Sequence, residues 1–132
     1  MASILKVDTL TGVSTAGSIS VTGEGNSTTT NLQQGLAKAW CVLDGAASTP
    51  AFDDSFNCAS VADGGTGDYV ITYTSNMASA SHSTPMGVLD TAVTVRCNEG
   101  RTSSTVQIQP LNTSNSAVDE DGISMTAHGD LA

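Results

Sequence analysis

The sequence predicts an all-β protein: an antiparallel β-sandwich of jelly-roll type, with an extended N-terminal arm and one short helix. Two observations carry this prediction. Apolar residues alternate with polar residues over short runs, which is the periodicity of half-buried strands. Turn-forming Gly, Asn and Asp residues separate these runs at intervals of about 8–12 residues, a spacing typical of sandwiches.

Composition narrows the classes of function. The chain has 132 residues, 39% of them hydrophobic, which suits one main globular domain. No uncharged apolar run approaches the ~20 residues that a membrane-spanning helix needs. The chain has 4 basic and 13 acidic residues, for a net charge of -9. With so few cations, little of the counterion release that drives binding to nucleic acid is available. We therefore expect neither a nucleic-acid partner nor a membrane partner.

Residues 1–30 differ from the rest, since they contain no aromatic residue and no cysteine. Their apolar residues form two short alternating runs, at Leu5 and Val7 and at Ile19 and Val21. Two such pieces bury too little area to be stable alone. We therefore interpret residues 1–30 as an arm for attachment or trimerisation, and residues 31–132 as the sandwich domain.

One segment carries a helix signal. Thr30-Asn31-Leu32-Gln33 fits a capping box and predicts a helix near residues 31–37. Leu32, Leu36 and Trp40 lie four apart, on one helical face. Trp40 has two interpretations that the sequence leaves open, an interface anchor or a core residue between arm and sandwich.

The remaining runs predict the strands of the sandwich. Cys58 to Val61 and Tyr69 to Thr74 predict a hairpin joined by a glycine-rich turn at residues 63–68. In its second strand, Tyr69, Ile71 and Tyr73 face one way. Pro110 is expected to end its strand. Seven or eight strands are predicted in all, at or around residues 37–44, 53–55, 58–61, 69–74, 93–97, 105–109 and 123–128.

The sequence has few residues suited to catalysis. We therefore expect that the chain is not an enzyme and binds no cofactor. The two histidines, His82 and His128, lie near no nucleophile motif. We place His82 on a surface loop and His128 on the solvent side of the last strand. Phosphate-binding glycine loops are absent from the sequence.

Neither the acidic runs nor the cysteines predict a metal site or a disulfide framework. The run Asp119-Glu120-Asp121 could supply oxygen ligands to calcium, but it departs from EF-hand spacing. A turn with solvated charges is the preferred interpretation, so no metal site is predicted. Cys41, Cys58 and Cys97 form an odd set without a CxxC pair, which favours buried free thiols and synthesis in a reducing cytoplasm.

Several motifs resemble a known family. The opening Ala2-Ser3-Ile4-Leu5-Lys6-Val7-Asp8-Thr9 is similar to the start of many fibre-like virion proteins of marine bacteriophages, including those that infect cyanobacteria. The runs Gly35-Leu36-Ala37-Lys38-Ala39-Trp40, Asp54-Ser55-Phe56-Asn57 and Thr66-Gly67-Asp68-Tyr69, with the closing pair Gly129-Asp130, resemble the C-terminal domain at the ends of phage tail fibres. The resemblance implies a structural role on a virion, as a homotrimer, with synthesis in the host cytoplasm.

Three hypotheses follow. The first is a short trimeric fibre or appendage, attached through its arm to tail or vertex proteins. The second is a capsid decoration protein that stabilises the shell through the major capsid protein. The third is a host-glycan-binding module, for which five aromatic residues leave few rings to stack on sugars. The candidate interface residues are Leu5, Val7, Ile19, Val21, Leu32, Leu36 and Trp40.

Overall fold

The computed structural model describes residues 4–12, 19–23, 28–89, 94–98 and 100–132. The chain divides into two compact units, Met1–Leu36 and Ala37–Ala132. The all-β class, the antiparallel sandwich and the single short helix are confirmed.

The first unit contains a two-stranded ribbon and the helix. Strand β1 (Ser20–Thr22) pairs with β2 (Thr29–Asn31), and α1 (Leu32–Gly35) follows directly. Asn31 caps this helix, because its side chain accepts a hydrogen bond from the amide of Gln34 at 3.1 Å. The predicted helix was therefore too long, and its cap lies one residue after the expected Thr30.

The described residues of the second unit form eight strands. They are β3 (Ala37–Asp44), β4 (Ala51–Phe56), β5 (Cys58–Gly65), β6 (Asp68–Tyr73), β7 (Met86–Gly87), β8 (Thr94–Cys97), β9 (Thr105–Leu111) and β10 (Ile123–His128). One sheet has the order β4-β3-β10-β7 and the other β5-β6-β9-β8, with every pairing antiparallel. Consecutive strands β4 and β5 are thus end strands of different sheets.

The core lies between the two sheets, where alternate residues of the inner strands meet. The predicted common face of β6 is confirmed, since Tyr69, Ile71 and Tyr73 are buried. Ala39, Cys41 and Leu43 of β3 alternate in the same way and are also buried. Met77, Val106, Ile108, Leu111, Ile123, Met125 and Ala127 are also buried.

Asn57 is the corner at which the chain passes from one sheet to the other. Its φ of 56° lies in the left-handed region that asparagine tolerates better than most residues. Its side chain satisfies backbone groups near both sheets: Nδ2 donates to the carbonyl oxygens of Lys38 at 2.9 Å and Ser75 at 3.0 Å, and Oδ1 accepts from the amide of Ser75 at 2.6 Å.

The predicted hairpin is present, with a longer first strand and a shorter turn, Thr66-Gly67. The expectation that Pro110 ends its strand is wrong, because β9 continues to Leu111. The carbonyl of Pro110 accepts from the amide of Val118 at 3.2 Å. Since the amide and carbonyl of a strand residue point to the same side, the missing proline donor faces Val118 and costs no bond to β8. Val93, predicted to begin that neighbouring strand, lies outside the described residues.

Candidate interaction surfaces

The beginning of the chain exposes most of its apolar side chains. Leu5 is 80% exposed and Val7 56% exposed. Ile4 and Leu10, which the sequence did not single out as interface candidates, are also exposed. None of the four lies in a helix or a strand. Exposed apolar residues close together in sequence are typical of interaction segments.

The candidates of the ribbon lie close to one another within the first unit. Val21 of β1 faces Thr30 of β2 and remains half exposed. The amide of Leu32 donates to the carbonyl oxygen of Ile19 at 2.9 Å, which joins the start of α1 to the ribbon. Ile19 and Leu32 are both half-buried.

Leu36 and Trp40 do not continue the helical face that the sequence predicted. Leu36 has φ -93° and ψ 142°, which is extended backbone, and its side chain is exposed. Trp40 lies on β3, where it alternates with the buried Ala39 and Cys41. The four-residue spacing was misleading because the chain leaves helical geometry after Gly35.

Trp40 occupies the outer face of its sheet. It lies opposite Phe56 of β4 on one side and Thr126 of β10 on the other, and its side chain is half-buried. Trp40 is therefore outside the core between the sheets. Phe56 is 53% exposed. Sequence analysis missed Phe56 as a candidate, because alternation alone would place it on the same face as Phe52, which packs against the core. The two rings point to opposite faces because the pairing of β3 with β4 shifts register between Val42 and Leu43.

The acidic run after β9 is part of the scaffold. Oδ1 of Asp119 accepts from the amide of Gly67 at 2.6 Å. The hydroxyl of Tyr69 shares its proton between this oxygen at 2.9 Å and the carbonyl oxygen of Gly45 at 2.8 Å. Burial, and next the hydrogen bond to Asp119, raise the pKa of Tyr69. The expectation of solvated charges holds for Asp119 and Asp121, which are exposed, and is wrong for Glu120, which is 5% exposed.

The hydrogen bond from Gly67 requires close backbone contact. Gly67 has φ +59°, and a side chain there would lie 2.5 Å from the backbone nitrogen of Val118. Only glycine meets both conditions without strain. Within the described ranges, no group of three or more His, Cys, Asp or Glu residues could hold a metal ion.

His82 lies in a loop, as predicted, but it is buried at 4% exposure and not at the surface. Its Nδ1 lies 3.0 Å from the carbonyl oxygen of Ser79, which only accepts, so Nδ1 carries the proton. Nε2 then accepts from the hydroxyl of Tyr73 at 2.9 Å. Burial of that hydroxyl raises the pKa of Tyr73. Both nitrogens of His82 are occupied by structural partners.

The three thiols occupy three environments. Cys41 is buried, Cys58 is half-buried and Cys97 is exposed, so the prediction of three buried thiols was wrong. The thiol of Cys58 donates to the carbonyl oxygens of Trp40 at 3.5 Å and Phe56 at 3.6 Å. Interaction with the Cys58 thiol, followed by burial, raises the pKa of Cys41, and interaction with Cys41 lowers the pKa of Cys58.

No helix among the described residues is long and apolar enough to cross a membrane. Comparison with known proteins gives no match to this chain, whether to a protein family, a curated protein or a solved structure.

Proposed function

We propose that this chain is a non-enzymatic structural protein of a bacteriophage particle, a short homotrimeric fibre or appendage held through its N-terminal arm. The observation that carries the proposal is the contrast between the two units. The second unit buries a complete core between two four-stranded sheets. The first unit leaves Ile4, Leu5, Val7, Leu10, Val21 and Leu36 exposed.

Exposed apolar side chains in an acidic chain favour a protein that assembles with others over an enzyme that acts in solution. Each exposed leucine that becomes buried on assembly contributes about 1.5–3 kcal/mol from removal of its surface from water. The occupied nitrogens of His82 and the anchoring role of Asp119 also support a structural function, because both residue types have partners within the scaffold. The virion assignment rests on the resemblance of the sequence motifs.

The deciding experiment is the copy number per purified particle, by quantitative mass spectrometry against the major shell protein. A small number in multiples of three is expected for an appendage on the tail or a vertex. A number comparable to the shell protein would replace the appendage with capsid decoration. Absence from the particle would contradict both.

The role of the arm is tested by particles carrying the double variant Leu5→Asp with Val7→Asp. We expect incorporation into the particle to fall while the circular dichroism of the purified protein stays unchanged. The matched control is Thr9→Asp with Thr11→Asp, which adds the same charge to exposed positions of the same segment. Equal loss in both variants would show that charge alone, and not apolar contact, governs incorporation.

A further inference from the structure

Strand β4 has a free edge. It is the end strand of its sheet, with β3 on one side and no partner strand on the other among the described residues. The unpaired backbone groups of an end strand are a template for another extended segment. The amide of Ser55 donates to Oδ1 of the preceding Asp54 at 2.8 Å, a local bond that an added strand would replace.

The side chains along this edge define what would fit. Phe56 exposes half of its ring on the outer face, next to Trp40. Asp54 lies on the same face, two residues earlier, and is exposed. A fitting segment therefore presents an apolar side chain and a cation two residues apart, since alternate residues of a strand share a face.

Residues 4–8 of this protein have that pattern. Ile4 and Lys6 share one face of an extended segment, and Leu5 and Val7 share the other. Lys6 is one of only 4 basic residues in a chain of net charge -9, so most of the surface repels a second copy. Leu5 is 80% exposed and is therefore available to pack against another surface.

We propose that residues 4–8 of one copy add to β4 of a second copy as an antiparallel strand, in the register that places Lys6 opposite Asp54. Facing residues in an antiparallel pair run in opposite directions, so Ile4 then meets Phe56 and Leu5 meets Ser55. A parallel strand would set Lys6 against Phe56 when Ile4 faces Asp54. A slip by one residue would turn Leu5 to the solvent face.

This inference deepens the proposed function, on which it rests, by naming the surface that receives the arm. The contact is head-to-tail, because the arm of one copy binds the sheet edge of the next. Three such contacts close into a ring if the rotation per copy allows it, which agrees with a homotrimer.

The test uses the purified full-length protein and the charge variants Lys6→Glu, Asp54→Lys and their combination. Analytical ultracentrifugation over a concentration series gives the association constant. We expect the unaltered protein to self-associate, each single variant to weaken association at least about tenfold, and the double variant to recover most of the loss, because the two charges again complement each other.

Matched controls separate this contact from general charge effects. Asp121→Lys and Arg101→Glu change the net charge equally at exposed positions elsewhere, and we expect less than about threefold change from either. Circular dichroism verifies the fold of every variant. A double variant no better than the single ones, or controls equal to the single variants, would overturn the register.

A monomer at all concentrations would overturn the proposal. If hydrogen exchange shows Ala51–Phe56 protected in such a monomer, the edge is covered within one chain. Particle composition is measured separately, so the two proposals fail separately: self-association in this register without incorporation would contradict only the virion function. Incorporation without sensitivity to these charges would contradict only the register.

Discussion

Nδ2 of Asn57 donates a hydrogen bond to the carbonyl oxygen of Lys38 at 2.9 Å, although 19 residues separate them. Asn57 lies at the corner between the sheets, and its second donor bond goes to Ser75, just after β6. One amide side chain thus joins backbone from both halves of the sandwich while occupying a left-handed conformation.

Replacing Asn57 with Ala should destabilise the fold by about 2–4 kcal/mol, because two carbonyls and one amide lose their partner and alanine is strained at positive φ. The free energy of unfolding in urea measures this change. Asn115→Ala is the matched control, since Asn115 has φ 60° and is exposed in a turn. It should cost only about 1 kcal/mol. Equal losses of stability in the two variants would mean that strain at positive φ, and not the side-chain hydrogen bonds of Asn57, accounts for the effect.

Replacing Asp119 with Ala should cost about 1–3 kcal/mol, since the amide of Gly67 loses its acceptor and Tyr69 retains only Gly45. Thermal and urea unfolding measure the loss. The control is Asp121→Ala, two residues later and exposed, for which we expect a change within about 0.5 kcal/mol. A comparable loss of stability for Asp121→Ala would show that the negative charge of residues 119–121 is responsible, and not the hydrogen bonds of Asp119.

Alkaline pH should unfold the protein through its two tyrosines. Burial raises the pKa of Tyr69 and of Tyr73, whereas tyrosine in the unfolded chain has a pKa of about 10. Above that pH the unfolded state binds fewer protons than the folded state, so stability falls as pH rises. Tyrosinate absorbance should therefore appear only as the circular dichroism is lost. Ionisation near pH 10 with the fold intact would contradict the burial of both hydroxyls.

The three thiols should react with a disulfide reagent at separate rates. Cys97 is exposed and should react first. Cys58 should follow, because its lowered pKa is offset by partial burial, and Cys41 should react only on unfolding. The variant Cys97→Ser should remove the fast phase alone. A fast phase that survives this substitution would show that the Cys41–Cys58 pair opens readily in the native state.

Local patterns were sufficient where alternation and turn chemistry agree. The inward faces of β3 and β6 follow from alternation, and the hairpin between β5 and β6 follows from the glycines that separate two alternating runs. The helical face through Leu32, Leu36 and Trp40 failed, because an equal spacing of four residues arises when a short helix is followed by a strand. Periodicity does not distinguish these cases over so few residues.

The sequence by itself determined the all-β class, the strand faces and the exposed apolar character of the arm, since these depend on neighbours along the chain. Only the tertiary structure decided which groups the polar side chains of the scaffold bind. His82, Asp119 and Asn57 each bind groups that are near in space, and for Asn57 and Asp119 the partners are also distant in sequence. It also decided that Trp40 and Phe56 meet on an outer face. Strand pairing sets these contacts, and no local pattern encodes which strands pair.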